Sequence, residues 1–328
     1  WTATLGVNEL HGNELGIGRI NKIAESVLSF LETQQAQFVF TQIEKRYHAA
    51  ARFSFIILDS DYNKAVSPLH NFASVFHRRM SLDIFAFLTY GEAKRFWSAY
   101  EICNLAEFVT ILENLRLRIF ERHPDERARQ LLLDALAYAV SNASDVFRKK
   151  RSDQDSPNLL ALDLLLGGIH KVTGEHSKVV MFRHDEQKQF GRAMSEQFEM
   201  AKNVRGYAEP DTFMFRLERV ERFVCPISLV PSHTSIGLQL IDLGIYLTSQ
   251  YLLGTYRPRE DHCSALTTYI VNNAILQVFT YEGLVETSTQ DYEAIMAREF
   301  TPEELARAEE MRDLVEARRV CRMESGIG

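Results

Sequence analysis

The chain has only four cysteines in 328 residues, Cys103, Cys225, Cys263 and Cys321, and they lie far apart. No CxxC pair occurs, so neither a zinc ribbon nor a disulfide framework is signalled, and the thiols are expected to be reduced and mostly buried. No GxGxxG opens a helix and there is no Walker GKT or GKS, no GxSxG elbow and no HExxH helix. These absences argue against P-loop, serine-hydrolase and zincin chemistry. The most apolar windows, 159–169 and 235–254, each carry an Asp and fall short of a membrane span. With no secretory signal visible, a cytoplasmic protein without a membrane partner is expected. The net charge of −7 argues against a generally basic nucleic-acid surface, although a local basic groove can coexist with an acidic exterior.

What is present is ordinary for a globular chain: 46% hydrophobic and 25% charged residues, enough for one large domain or two small ones. "TATLGVNELHG" reads as a strand and turn. "IGRINKIAESVLSFLE" repeats Ile17, Ile20, Ile23, Val27 and Leu31 at a helical period. "QFVFTQIEK", 37–45, reads as a strand and "RYHAAARFSFIILDS" as a helix, with a strand at 53–58 the competing reading. From 64 to about 150 the spacing is helical almost throughout. The cluster Phe96, Trp97 and Tyr100 fits core packing there. The polar run 148–158, "RKKRSDQDSPN", reads as a linker, with Pro157 placed to open a helix over 158–172. A strand at 178–184, a helix at 187–203, a strand at 224–230 and a helix at 235–253 follow. In "TPEEL", Thr301, Pro302 and Glu304 spell a capped helix start. The alternation predicts an α/β fold with a mixed or parallel sheet, a large helical insertion and C-terminal helices.

Three places gather chemistry. In "NELHGNEL", Glu9 and His11 share a face if the segment is a strand, and a carboxylate beside an imidazole can ligate a divalent ion or hold a water. An exposed edge with turn residues explains the same pattern. In "FRHDEQKQF", Asp185 and Glu186 follow a strand, where open α/β sheets place ligands. Asp185 equally suits the N-cap of a helix beginning near Gln187, with Glu186 favoured by the helix dipole. In "SIGLQLIDLGIYL", Ile236, Leu240, Leu243 and Leu247 form one stripe and Gln239, Asp242 and Tyr246 another. A carboxylate buried in so apolar a helix needs a cation, a donor or a metal, and an Arg from the insertion is the bland candidate. Lys45 and Arg46 end a strand, where basic residues are usually solvated but can also meet phosphate. The basic residues 148–151 read as charged linker or as a nucleic-acid contact.

Taken in order, "ELHGNEL", "FTQIEKRYHAAARFSFIILDSDYNKAV", "HDEQKQF" and "SIGLQLIDL" resemble the domain of unknown function 3800 family over roughly residues 7–250. The resemblance implies a ribonuclease H-like core, a metal-dependent site of acidic residues, and an origin in bacteria and their mobile elements. Glu9, the run Asp185, Glu186 and Gln187, and the pair Gln239 and Asp242 match the family's motif positions. The family's usual first strand, ending in Asp-Glu-Ser-Gly, has no counterpart in the residues shown, which begin at Trp1.

The resulting expectation is a core of residues 1–63 and 156–255, a helical insertion at 64–155 and a C-terminal helical extension at 256–328. Function is expected to be phosphodiester hydrolysis with Mg²⁺ or Mn²⁺, in defence against phage or mobile elements. Asp185 and Asp242 are assigned as principal ligands and Glu9 as a third. His184 or Glu186 would orient or deprotonate water, and His11 and Lys45 would contact phosphate or support the site. Nucleic acid, a protein held by the insertion, and a second copy are the expected partners. The rival is an inactive scaffold within a larger complex, and hydrolysis of a small nucleotide fits the same acids.

Overall fold

A computed structural model describes residues 1–68, 74–147, 155–174, 177–208, 215–255 and 261–325. The basic residues 148–151 of the expected linker lie outside them. The chain is 68% helical with a small parallel sheet, a mixed α/β architecture in which helix dominates.

The N-terminal segment is not a strand. Thr2–Leu5 forms a short helix (α1) closed by Gly6 in the left-handed region, and residues 8–10 are irregular. The reason is burial: Leu5 and Leu10 both enter a mainly helical core, and among the described residues the segment pairs with no strand. The helix expected over 17–31 is interrupted, giving Gly12–Ile20 (α2), bent at Gly16, and Ala24–Thr33 (α3). Strand Phe38–Ile43 (β1) forms where Val, Phe, Thr and Ile favour a pleated, half-buried surface. Helix Lys45–Ile57 (α4) follows, so the competing strand at 53–58 is not formed.

The middle of the chain is helical as its period predicts: Ser74–Phe87 (α5), Tyr90–Ile102 (α6), Leu105–Arg122 (α7), Glu126–Ser141 (α8) and Ala143–Val146 (α9). Thr89 and Glu92 form a reciprocal cap at the start of α6, and Asn104 and Asp125 cap α7 and α8 through their side chains. Pro157 opens Pro157–Val172 (α10).

Strand Phe182–Asp185 (β2) is shorter than the expected 178–184, with Val179 reaching Phe223 in a single bridge. The next helix, Gly191–Ala201 (α11), starts four residues later than expected, after a turn at 188–190. Val204–Ala208 (β3) and Phe215–Arg219 (β4) pair with each other. Ile227–Val230 (β5) pairs with β2 in parallel, Asp185 opposite Val230. Ile236–Leu252 (α12) and His262–Asn272 (α13) lead to Ala274–Phe279 (β6), a strand inside the stretch expected to be helical. It pairs with β1. Tyr281–Met296 (α14) and Pro302–Glu324 (α15) complete the described chain, the latter with the Thr301–Glu304 capping box and Pro302 that "TPEEL" predicts.

The elements gather into two compact units, residues 1–42, 158–206 and 217–277 in the first and 43–157, 207–216 and 278–328 in the second. The units therefore divide the chain elsewhere than the expected boundaries: α4 groups with the insertion helices and α13 with the first unit. In the first unit α2 packs on α12 and α3 on α13, burying Leu10, Ile20, Val27, Leu243, Leu247 and Leu266. A smaller core holds Leu162, Phe198 and Phe223 under the β2–β5 pair. The second unit is built on an aromatic centre in which Phe53, Phe96 and Phe108 are fully enclosed. Cys263 is buried, but Cys103 and Cys321 are exposed and Cys225 is half-buried, because the first two end helices at the surface. No described helix is long and apolar enough to cross a membrane.

Candidate functional site

Helix α12 brings two of the three predicted motifs together. Gln239, Asp242 and Tyr246, spaced at a helical period, face the segment that carries Glu9 and His11. Gln239, only 6% exposed, accepts the Leu10 N–H on Oε1 at 3.0 Å, while its amide nitrogen lies 3.4 Å from the Ser232 and His233 carbonyls. Asp242 Oδ2 accepts the Gly12 N–H at 2.8 Å. His11 occupies the N-cap position of α2 but its ring makes no capping bond, so the Asp242 carboxylate caps that helix from outside, where the dipole favours negative charge. Gly12 allows the approach. A Cβ there would lie 2.8 Å from Tyr246 Cγ, closer than packed side chains come.

Asp242 thus differs from expectation on two points. Its side chain is 48% exposed rather than buried, because it projects from the margin of the helix beside the inward Leu240, Leu243 and Leu247. Ile236, the fourth member of that stripe, is exposed. The partners of Asp242 are a backbone N–H and an imidazole, not an arginine of the insertion.

His11 stands between two carboxylates. Its Nε2 is 3.3 Å from Glu9 Oε2 and its Nδ1 is 3.7 Å from Asp242 Oδ2, the second distance being electrostatic contact rather than a hydrogen bond. Glu9 is the most enclosed of the three, 19% exposed against 40% for His11. Its other oxygen, Oε1, is buried with no hydrogen-bond partner. A buried carboxylate oxygen left unpaired is costly, and such atoms mark strain or a ligand position.

The third motif stands beside this cluster without joining it. Asp185 ends β2, the strand that packs against α12, and its side chain is exposed. Glu186 is exposed and donates its N–H to the Val230 carbonyl at 3.1 Å. His184 Nδ1 lies 2.7 Å from the Asp185 carbonyl. Gln187 accepts the Gly191 N–H on its carbonyl at 2.7 Å, closing the turn that delays α11. Asp185 is therefore not the cap of α11. Phe190 holds that position and makes no side-chain cap bond. Lys45 belongs to the second unit, at the first position of α4.

Whether a divalent ion suits these residues turns on their free donors. Hard cations take oxygen ligands, and the Glu9 Oε1 atom is an oxygen with no protein partner. Asp242 adds a carboxylate with one oxygen committed to Gly12. Among the described residues no group of three or more His, Cys, Asp and Glu side chains is arranged to hold a metal ion.

The residues that sequence reading missed are Leu10 and Gly12, whose backbone N–H groups fix Gln239 and Asp242. Their only signal was the glycine in "LHGNEL" at the point where a helix begins. No family model matches the chain, and no curated protein or solved structure does so either.

Proposed function

We propose that the chain is a divalent-metal-dependent phosphodiester hydrolase, a cytoplasmic nuclease on a ribonuclease H-like core of the domain of unknown function 3800 type, with Glu9, His11 and Asp242 at its centre. One observation carries the reading: the buried, unpaired Oε1 of Glu9, beside an imidazole that bridges to Asp242. Glu9 and Asp242 would hold Mg²⁺ or Mn²⁺, with Asp185 as a third carboxylate from the neighbouring strand end. Bound there, such an ion would supply an activated water and stabilise charge on the departing oxygen. The chain's own residues do the rest. Gly12 and Leu10 hold the Asp242 carboxylate and the Gln239 amide in place, and His11, 3.3 Å from Glu9 through Nε2, would hold or release a proton at that atom. Glu186 and His184 lie next to Asp185 to orient water.

The test is hydrolysis of single-stranded, duplex and mononucleotide substrates with Mg²⁺ or Mn²⁺ by the wild type and by Asp242→Asn. Asparagine keeps an acceptor for the Gly12 N–H, so folding is retained while the charge is lost. Activity is expected to fall about 100-fold, in line with the several kcal/mol a metal ion contributes at a developing oxyanion. Equal rates in the two proteins would rule the assignment out.

A second reading is a catalytically inactive scaffold, favoured by one feature of the same site. Gln239 and Asp242 already have structural employment, clasping the 9–12 segment to α12.

A further inference from the structure

Helix α14 carries an apolar face that the second unit does not use. Its inner side is settled against that unit: Tyr281 stacks on Phe85 at 4.5 Å, Leu284 packs on the aromatic core, and Asp291 pairs with Arg78 of α5. These contacts leave no residue of α14 fully buried. On the outer side Val285, Tyr292 and Met296 are 37%, 61% and 62% exposed. Thr289 joins them, its hydroxyl spent on the Val285 carbonyl at 2.8 Å. The four stand at i, i+4, i+7 and i+11, the spacing of a seam that another helix fits. Single exposed apolar side chains are ordinary, but a stripe continued over about three turns marks a contact surface.

Charge decides what can lie on that stripe. Residues 281–296 include Glu282, Glu286, Asp291 and Glu293 and no Lys, Arg or His. Asp291 is taken by Arg78, whereas Glu282, Glu286 and Glu293 run in a row alongside the stripe, all exposed and, among the described residues, in no ion pair. A nucleic-acid backbone or an anionic membrane would be repelled there, and helices that lie on lipid carry Lys and Arg instead. A second copy docked antiparallel about a two-fold axis would set one row of glutamates against the other.

We propose that the outer face of α14 docks a basic amphipathic helix of another protein, its apolar residues on Val285, Tyr292 and Met296 and its Lys or Arg side chains against Glu282, Glu286 and Glu293. Tyr292 and Met296 supply the contact area, a rigid aromatic beside an adaptable thioether, and the glutamate row fixes the orientation and speeds encounter. The proposal is independent of the Glu9–Asp242 site, which belongs to the first unit.

Calorimetric titration of the full chain with two synthetic helical peptides of about 21 residues tests this. Both carry leucine at the a and d positions of each heptad, one with lysine and the other with glutamate at the flanking positions. The wild type is expected to bind the lysine peptide and not the glutamate peptide. Tyr292→Ser with Met296→Ser, and separately Glu286→Lys with Glu293→Lys, are each expected to weaken binding of the lysine peptide at least about tenfold, with thermal unfolding confirming that these exposed substitutions keep the fold. The charge-reversed protein is expected to gain the glutamate peptide. No binding of the lysine peptide by the wild type, or an unchanged affinity in either double variant, would overturn the proposal. A wild-type dimer in sedimentation that Tyr292→Ser with Met296→Ser makes monomeric would overturn it in favour of a second copy, and attachment to phosphatidylserine vesicles lost in the same variant would overturn it in favour of a membrane.

Discussion

Replacing Phe108 by alanine is expected to cost the helical unit about 3–5 kcal/mol, the range for removing an enclosed aromatic side chain. Phe108 is fully buried, stacked on Phe147 at 4.2 Å between centroids, edge-on to Phe53 at 5.7 Å and tilted against Phe96 at 6.3 Å. All four rings lie in the same unit, and three helices and the 147 turn meet through them. Truncation removes apolar contact and leaves a cavity that rings fixed by their own neighbours cannot close. The two tryptophans give separate reporters, Trp1 in the first unit and Trp97 in the second. In a Trp1→Phe background, urea unfolding followed by Trp97 emission reads the second unit alone. A loss below about 1 kcal/mol would show that this aromatic centre is not what holds the unit together.

Acidification is expected to weaken the same unit chiefly through His48, the histidine there with the largest shift. His48 is buried against the Trp97 and Phe279 rings, 5.2 and 6.2 Å away, and burial drives its pKa from 6.5 down to about 4. Asp155 opposes that shift and Arg52 adds to it. Between those two values the unfolded chain binds the proton that the folded chain refuses. Stability is therefore complete above the unfolded value of 6.5 and declines as pH falls toward 4, by about 3 kcal/mol in all. Trp97-monitored unfolding across that window should show the decline in wild type and a shallower one in His48→Gln, where the carboxylates and the other histidines still titrate. Equal slopes in the two proteins would remove His48 from the account.

What could be read from the sequence follows the range of the interaction responsible. The start of α15 was legible because Thr301, Pro302 and Glu304 act within one turn, and α10 because Pro157 fixes its own backbone angle. Helices α5 to α8 were legible from apolar spacing. Strands β3, β4 and β6 were not, since each is short and owes its form to a partner elsewhere in the chain. The N-terminal segment misled for the opposite reason: its composition suits a strand, but among the described residues it pairs with none, and Leu5 and Leu10 are drawn into a mainly helical core.

The candidate site divides in the same way. The period that sets Gln239, Asp242 and Tyr246 on one face of α12 could be read directly, and that face meets the Glu9–Gly12 segment. That Asp242 would meet a backbone N–H could not be read, because a main-chain donor leaves no mark in residue type. Asp185 looked like a helix cap only because β2 ends next to a polar run. The turn at 188–190 separates it from α11.

The central claim is that the unpaired oxygen of Glu9 belongs to a divalent cation. Calorimetric titration of Mn²⁺ into the wild type and into Glu9→Gln measures it without any assumption about substrate, with thermal unfolding of both proteins confirming an intact fold. A saturable site in the wild type that disappears in Glu9→Gln is the expected result. Identical heats in the two proteins, or no binding in either, would contradict the claim and leave the clasped 9–12 segment as part of a scaffold.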